Sequence, residues 1–236
     1  MSLAAPQWYE RLCHGQRVLK LDLKDQAGKQ ELDALLASAD LLLASFRPSA
    51  LKRLNLDWES LHARHSQLCF VGIIGHPAPH AESSGHDLTY QAGFGLLRPP
   101  QMPPSLFVDL AGAERAVSMA LALLNKFART GGAGCAWVPL HECARDLAEP
   151  LKAGLTLPGG LLGGGYPLYG FFRASDGWVA IAALEPHFAE RLMAELNLNK
   201  LERSELENIF HRRSAEEWES WAAERDLPLV AVRGAS

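Results

Sequence analysis

Short apolar runs alternate with amphipathic helical periods through the first two thirds of the chain, and this pattern constrains the fold most. Residues 41–46 and 69–74 are continuous apolar runs, typical of strands covered on both faces. Residues 30–39 and, in pieces, 51–65 carry apolar side chains at helical spacing. Residues 18–23 alternate apolar and polar side chains and predict a further strand. The order predicts an α/β domain with a mainly parallel sheet.

The next segment continues the same alternation. Ser84-Gly-His-Asp87 resembles a capping box and predicts a helix over residues 88–97. A second helix with a broad apolar face is predicted from Asp109 to the glycines at 131–134. A strand over residues 136–140 and a helix over residues 141–153 complete this part of the chain.

The composition changes at residues 157–165, where five glycines lie within nine residues. Beyond them, Ala174-Ser-Asp-Gly177 indicates a hairpin between runs at 167–173 and 178–184. Predicted helices over 186–196 and 215–224 and a final strand over 227–232 follow. We therefore expect a large α/β domain (1–156), a glycine-rich linker (157–165) and a smaller α+β domain (166–236).

Composition and charge exclude several classes of protein. The 236 residues are 48% hydrophobic and have a net charge of -4, so they present no basic surface for nucleic acid or anionic membrane. No apolar run approaches about 18 residues, and the first residues lack a signal-peptide pattern. The four cysteines form no CxxC pair, which predicts neither a metal site nor disulfides. These features favour a reduced, cytoplasmic protein.

Three ionisable side chains lie at predicted helix starts: His86, Asp109 and Glu185. Each also has a structural interpretation. Asp109 suits an N-cap, Glu185 precedes a proline at the first helical position, and His86 suits a hydrogen-bonded buried histidine. Spacing alone favours the structural interpretations.

Three groups of motifs strengthen the functional interpretation. The first contains residues 20–25, 39–48 and 53–54, and the second contains Ser84-Gly-His-Asp-Leu-Thr-Tyr90 with residues 108–112. The third contains residues 166–169, 175–180 and 184–188. In this order the chain resembles the CoA-transferase family III (CaiB/BaiF), most closely its α-methylacyl-CoA racemase branch. The resemblance implies a Rossmann-like, mainly parallel sheet, here incomplete, with a smaller C-terminal α+β domain.

The same resemblance implies a catalytic set and a substrate. His86 in the Gly-His-Asp motif, supported by Asp109, would act on one face of an acyl-CoA thioester, and Glu185 in the Glu-Pro motif on the other. Such a pair would remove the α-proton and return one to the opposite face. Coenzyme A would enter as part of the substrate, with no covalently bound cofactor, and the protein would be a homodimer. The implied CoA- and substrate-binding residues are Phe46, Arg47, Arg53, Tyr90, Gly163, Gly164 and Tyr166.

Two alternatives remain open at this stage. Alignment with the transferase pattern places Glu142 where that branch has a nucleophilic aspartate, which would make the protein a CoA-transferase. Relative to the family, the chain enters the pattern after a first strand–helix segment and stops near residues 230–232. It would then be truncated at both ends and could be a non-catalytic relative that binds CoA or a partner chain supplying the missing segments. The identity of the acyl group is open.

Overall fold

The computed structural model describes residues 4–234. The first helices are α1 (Pro6–Leu12) and α2 (Gln26–Leu36), followed by strand β1 (Leu41–Ala44). The chain continues through α3 (Pro48–Arg53), α4 (Trp58–Arg64), β2 (Cys69–Ile74), α5 (Asp87–Gly93), α6 (Phe107–Thr130), β3 (Cys135–Pro139), α7 (Leu140–Leu147) and α8 (Glu149–Lys152). A π-helical turn (Leu161–Gly165) precedes β4 (Tyr169–Arg173), β5 (Trp178–Ala182), α9 (Pro186–Glu195), α10 (Arg203–Phe210), α11 (Ala215–Ala223) and β6 (Leu229–Ala231).

The chain divides into two compact units between Asp146 and Leu147. In the first unit, β1, β2 and β3 form a parallel sheet in that order, with Leu41 opposite Cys69 and Phe70 opposite Cys135. Because parallel strands all run the same way, the carboxyl ends of the three strands lie at one edge. The predicted α/β class with a parallel sheet is confirmed.

Helices cover both faces of this sheet. Phe70 on β2 packs in one cluster with Leu51 and Leu61 from α3 and α4. The next residue, Val71, points to the opposite face and packs with Val108 of α6. Successive strand residues alternate between faces, so the continuous apolar run of β2 supplies both cores at once.

The strand predicted over residues 18–23 is wrong. The structure assigns no strand to this segment, and Val18 and Leu19 are 50% and 38% exposed. Alternating apolar residues form a stable strand only when a neighbouring strand pairs with them, and none pairs with this segment within residues 4–234. The segment is instead an irregular connection ahead of α2.

The second unit contains an antiparallel sheet in the order β4-β5-β6. The predicted hairpin is confirmed, and the Ala174 amide donates to the Gly177 carbonyl across its turn at 3.0 Å. One sheet face packs on the helices, where Phe172, Phe210 and Trp218 form the centre of the core. This unit has the α+β composition expected from the sequence.

The glycine-rich segment belongs to the second unit, and its backbone is folded upon itself. The Leu162 amide donates to the Leu155 carbonyl at 2.9 Å, and the Gly159 amide donates to the Gly163 carbonyl at 3.1 Å. A side chain at Gly163 would collide with the Leu157 carbonyl. These glycines therefore permit close backbone approach, whereas composition alone suggested a linker. The unit boundary also lies about ten residues before the boundary that composition suggested.

Across residues 4–234, no helix combines the length and the apolar character needed to cross a bilayer.

Candidate functional site

A cleft of about 270 Å³ opens at the carboxyl edge of the parallel sheet. Its walls come from the loop after β1, the end of β2, the start of α7 and the loop that leads into α5. This is where ligands bind in open parallel sheets, because the loops after the strands converge there. The lining residues are Ser45, Phe46, Arg47, Ile73, Ile74, Gly75, Ala81, Ser83, Ser84, Gly85, His86, Tyr90 and Leu140.

His86 is the N-cap residue of α5 and lines this cleft with an exposed imidazole. Its backbone amide donates to the Thr89 hydroxyl at 3.0 Å, and that hydroxyl donates back to the His86 carbonyl at 2.8 Å. The helix start is thus held by backbone groups and Thr89. The exposed imidazole can accept a proton from a ligand in the cleft, and it is not the buried histidine of the structural interpretation.

Asp87 holds the starts of α5 and α6 together. Its side chain is 4% exposed, and its Oδ1 accepts hydrogen bonds from the Val108 and Asp109 amides at 2.8 and 3.2 Å. Its Oδ2 accepts from Gln91 Nε2 at 2.5 Å. The amides at the start of α6 have no partner within their own helix, so a carboxylate from α5 satisfies two of them. This contact fixes Asp109 near His86.

Asp109 is the third residue of α6, while Leu106 is the N-cap, so Asp109 does not act as the N-cap. Burial of its carboxyl group raises its pKa, and the negative charge of Asp87 raises it further. The positive charge of His86, when protonated, partly opposes this shift. The carboxyl group of Asp109 thus lies close enough to the imidazole of His86 for their charges to interact.

Phe46 and Arg47 also line the cleft, where β1 ends and α3 begins. Arg53 lies exposed at the end of α3. Both arginines act electrostatically on Glu82, whose pKa is lowered mainly by hydrogen bonds from Ser49 and less by these two charges. The arginines therefore share a surface that a phosphate-bearing ligand could contact, although Glu82 already lies on it.

Tyr90, in the first turn of α5, is also among the residues that line the cleft. Its side chain is 3% exposed, and the hydroxyl oxygen has no hydrogen-bond partner. Burial raises the pKa of this phenol, and the charge of Asp109 adds to the effect. Its ring contacts the edge of His76, with 5.4 Å between the ring centroids.

Glu142, the alternative nucleophile, lies in the first turn of α7, directly after β3. Its carboxylate forms an ion pair with Arg145 and lies 3.6 Å from His141 Nδ1. Glu142 therefore lies at the same carboxyl edge of the sheet as the cleft. However, the guanidinium of Arg145 occupies one of its oxygens.

The remaining predicted residues belong to the second unit. Glu185 is the N-cap residue of α9, with Pro186 at the first helical position, and its exposed side chain makes no capping hydrogen bond. Gly163 and Gly164 line an apolar cavity of about 720 Å³ with Trp178. Tyr166 does not line this cavity but packs, partly buried, against the core of the unit.

Sequence reasoning missed three features of the site: Glu82, the bridging role of Asp87, and the pairing of His76 with His141. The two histidine rings are 5.1 Å apart because their residues follow the neighbouring strands β2 and β3. Burial lowers the pKa of His76, as does the nearby charge of His141 when protonated. Within the described residues, no three His, Cys, Asp or Glu side chains converge as a metal site requires.

The fold is of the α/β class, with an open cleft at the carboxyl edge of a parallel sheet. Comparison with known proteins gives the family: residues 3–236 match the model of the CoA-transferase family III, and the chain belongs to that family. The predicted resemblance is confirmed.

Curated relatives include proteins with different reactions. The chain is 29% identical over 211 residues to "Alpha-methylacyl-CoA racemase" of Mus musculus, covering 81% of this chain and 55% of the relative. It is 26% identical over 258 residues to "Cinnamoyl-CoA:phenyllactate CoA-transferase" of Clostridium sporogenes, covering 92% and 62%. A CaiB/baiF CoA-transferase family protein of Caenorhabditis elegans is 26% identical over 246 residues, covering 90% and 71%. The chain thus spans between about half and about 70% of these relatives.

Solved structures support the fold. A hypothetical protein from Mycobacterium tuberculosis matches with a TM-score of 0.79 at 23% identity, covering 93% of this chain and 68% of that one. A CAIB/BAIF family protein from Brucella suis matches with a TM-score of 0.72 at 20% identity, covering 93% and 67%.

Proposed function

We propose that the protein binds acyl-CoA thioesters and moves the proton on the carbon next to the thioester, as a racemase or epimerase does. The observation that carries this proposal is the grouping of His86 and Arg47 in one cleft, with Asp109 electrostatically coupled to His86. An imidazole able to take a proton lies near a guanidinium able to hold a phosphate. The similarity to an α-methylacyl-CoA racemase supports the same reaction.

The chemistry requires a base on each face of a planar intermediate. His86 takes the α-proton from one face, and the electrons of the C–H bond move to the thioester carbonyl as an enolate forms. Glu185, in its protonated form, then returns a proton to the other face. In the reverse direction Glu185 is the base and His86 is the acid. Asp109 stabilises the imidazolium while His86 carries the proton.

The exposed positions of both groups are compatible with these roles. His86 and Glu185 are each the N-cap residue of a helix, and the carboxylate of Glu185 makes no capping hydrogen bond. In the same proposal the substrate's CoA portion contacts Phe46, Arg47 and Arg53. In this proposal the working protein is a homodimer.

The test is exchange of the α-proton. Purified protein is incubated with a 2-methylacyl-CoA in heavy water, and loss of the α-proton signal is followed by NMR. We expect exchange by the wild-type protein and loss of at least about 100-fold in His86→Ala, because a positioned general base contributes about 10²–10⁴-fold. His14→Ala, which removes an exposed histidine of the same unit, is the matched control. Folded wild-type protein that binds acyl-CoA without exchanging the proton would contradict the proposal.

CoA transfer is the competing reaction, favoured by the position of Glu142 after β3 and by the transferase relatives. In that reaction the Glu142 carboxylate attacks the thioester, forming an acyl anhydride and releasing CoA thiolate. The thiolate then attacks the glutamyl carbonyl and releases the acyl carboxylate, which leaves CoA on Glu142. The ion pair with Arg145 holds this carboxylate and favours proton transfer instead. Mass spectrometry of a hydroxylamine-sensitive CoA adduct, absent in Glu142→Gln, would establish transfer.

A further inference from the structure

Asp87 and Gln91 are the two residues with charged or amide side chains that are buried within the described part of the chain, and they bind each other. They are 4% and 1% exposed, and Gln91 Nε2 donates to Asp87 Oδ2 at 2.5 Å. Burial of a charge and of an amide costs free energy, so selection for stability alone favours apolar residues at such positions. The pair belongs to α5 and begins directly after His86.

The other oxygen of Asp87 takes the place of an N-cap side chain for α6. The N-cap residue of α6 is Leu106, whose side chain cannot accept a hydrogen bond. The amides of Val108 and Asp109, at the second and third positions of that helix, donate instead to Asp87 Oδ1 at 2.8 and 3.2 Å. These are the amides from which an N-cap side chain ordinarily accepts. Asp87 therefore determines where the start of α6 lies relative to the start of α5.

The result is a short connection between two of the candidate catalytic residues. His86 precedes Asp87 in the chain, and the amide of Asp109 donates to the Asp87 carboxylate. One residue and one hydrogen bond therefore join His86 to Asp109. Gln91, one helical turn after Asp87, fixes the rotation of the carboxylate, because it holds the oxygen that does not bind α6.

We propose that Asp87 and Gln91 are positioning residues for the proton transfer, because they hold the carboxyl group of Asp109 beside the imidazole of His86. The inference rests on the proposed function of the cleft, in which Asp109 stabilises the imidazolium. Asp87 and Gln91 are buried and do not line the cleft, so they act on the reaction only through the placement of Asp109. A misplacement of about 1 Å in such an arrangement can lower a rate about 100-fold.

The charges around Asp109 provide a measure of this placement. Desolvation raises the pKa of Asp109 most, the negative charge of Asp87 raises it further, and the positive charge of protonated His86 lowers it. Tyr90 also interacts with this carboxyl group, since the pKa of the phenol is raised by burial and then by the charge of Asp109. Interactions between charges weaken with distance, so the effect of His86 on Asp109 reports how close the two side chains are.

The first test follows the Asp109 carboxyl group by ¹³C NMR as the pH is varied, without substrate or turnover. In the wild type we expect a second inflection caused by the charge of His86, identified by its absence in His86→Ala. Asp87→Asn should keep this inflection, because its side-chain oxygen can still accept from both α6 amides. Asp87→Ala should lose it, because the two amides then have no acceptor. Asp57→Ala should keep it and is the matched control, since Asp57 also accepts from a helix-start amide, that of Ser60 in α4, at 3.2 Å.

The second test is a double-mutant cycle on the exchange of the α-proton. We expect Asp87→Ala to lower kcat about 100-fold with little change in KM, and Asp87→Asn to lower it less than about tenfold. In the Asp109→Asn background Asp87→Ala should have little further effect, because its action passes through the Asp109 carboxyl group. A merely structural role would lower the rate by the same factor in both backgrounds, and that result would overturn the proposal.

Gln91→Leu provides a variant in which both α6 amides keep their acceptor, so the proposal can be tested even where Asp87→Ala does not fold. Asp87 Oδ2 loses the donor that fixes its rotation. We therefore expect a weaker second inflection of Asp109 and exchange slowed about tenfold. An inflection and a rate equal to those of the wild type would overturn the role of Gln91.

The outcomes distinguish this inference from the proposed function. A second inflection retained in folded Asp87→Ala, or absent from the wild type, would overturn the positioning role, while exchange that depends on His86 would keep the proposed function. An inflection lost in Asp87→Ala, together with a wild type that exchanges no α-proton, would support the placement of Asp109 and overturn the reaction.

Discussion

Removal of the Asp87 side chain should destabilise the first unit, and the structure allows the cost to be worked out. Its carboxylate accepts hydrogen bonds from the Val108 amide, the Asp109 amide and Gln91. In Asp87→Ala the two amides and the buried Gln91 side chain lose their partner. With about 1–3 kcal/mol for each unsatisfied buried group, the two amides alone cost about 2–6 kcal/mol.

The conservative variant separates geometry from charge. In Asp87→Asn the side-chain oxygen can still accept from both amides, and a reversed Gln91 amide can accept from the new NH₂ group. We therefore expect Asp87→Asn to cost about 1 kcal/mol, since charge-assisted hydrogen bonds exceed neutral ones by about that amount. The variant also removes the charge that raises the pKa of Asp109.

Hydrogen exchange followed by mass spectrometry measures these effects locally, which matters because a chain of two units need not unfold in one step. Peptides that contain the start of α6 report on the Val108 and Asp109 amides, and urea unfolding gives the total change. We expect Asp87→Ala to lose protection at the start of α6 and Asp87→Asn to keep it. Equal losses in the two variants, or a loss under about 1 kcal/mol in Asp87→Ala, would refute the assignment of Asp87 as the link between α5 and α6.

Two further predictions concern charge in the same unit. Glu82→Gln removes a carboxylate beside Arg47 and Arg53, so CoA binding measured by calorimetry should tighten several-fold at low salt and converge with the wild type at high salt. A CoA affinity unchanged at low salt would argue against binding at this surface. Asp109 has a raised pKa, so its ionisation costs stability as pH rises through that pKa. Asp109→Asn should therefore melt above the wild type at pH 7 and lose this advantage below the ordinary aspartate value of 3.8, as thermal scans against pH can show.

The elements that the sequence predicted well are those that local pattern and burial both define. Strand β2 occupies the predicted residues 69–74, because a continuous apolar run suits a central strand covered on both faces. Helix α10 (Arg203–Phe210) was missed, since its N-cap, Glu202, makes no side-chain cap and only two of its residues are buried. Residues 18–23 were wrongly predicted as a strand, because their alternating pattern is correct for a strand but no neighbouring strand among the described residues pairs with them.

For the site, the sequence could name residues from their motifs but could not predict the contacts that organise them. Asp87 reaches amides 21 and 22 residues away, and Glu82 binds Ser49 across 33 residues. Such distances in sequence are set by the order of strands and not by any local pattern. Loops that follow parallel strands meet at the carboxyl edge of the sheet, so the strand order would have predicted that the loops after β1 and β2 lie together. It would not have predicted these particular hydrogen bonds.

The buried polar side chains of the first unit fall into two groups: those that make hydrogen bonds within the protein and those that have an atom without a hydrogen-bond partner. Asp87 is buried, and both of its carboxylate oxygens accept hydrogen bonds from the protein, so it stabilises the helix starts. Tyr90 Oη and His141 Nδ1 are buried without hydrogen-bond partners, although a Glu142 oxygen lies 3.6 Å from His141 Nδ1. The ring of His76 lies between the two rings, with centroids 5.4 and 5.1 Å away. Selection for stability alone would replace such groups with apolar ones, because an unpartnered polar atom only costs free energy. Two such atoms close together beside the cleft of His86 therefore indicate a role other than stability.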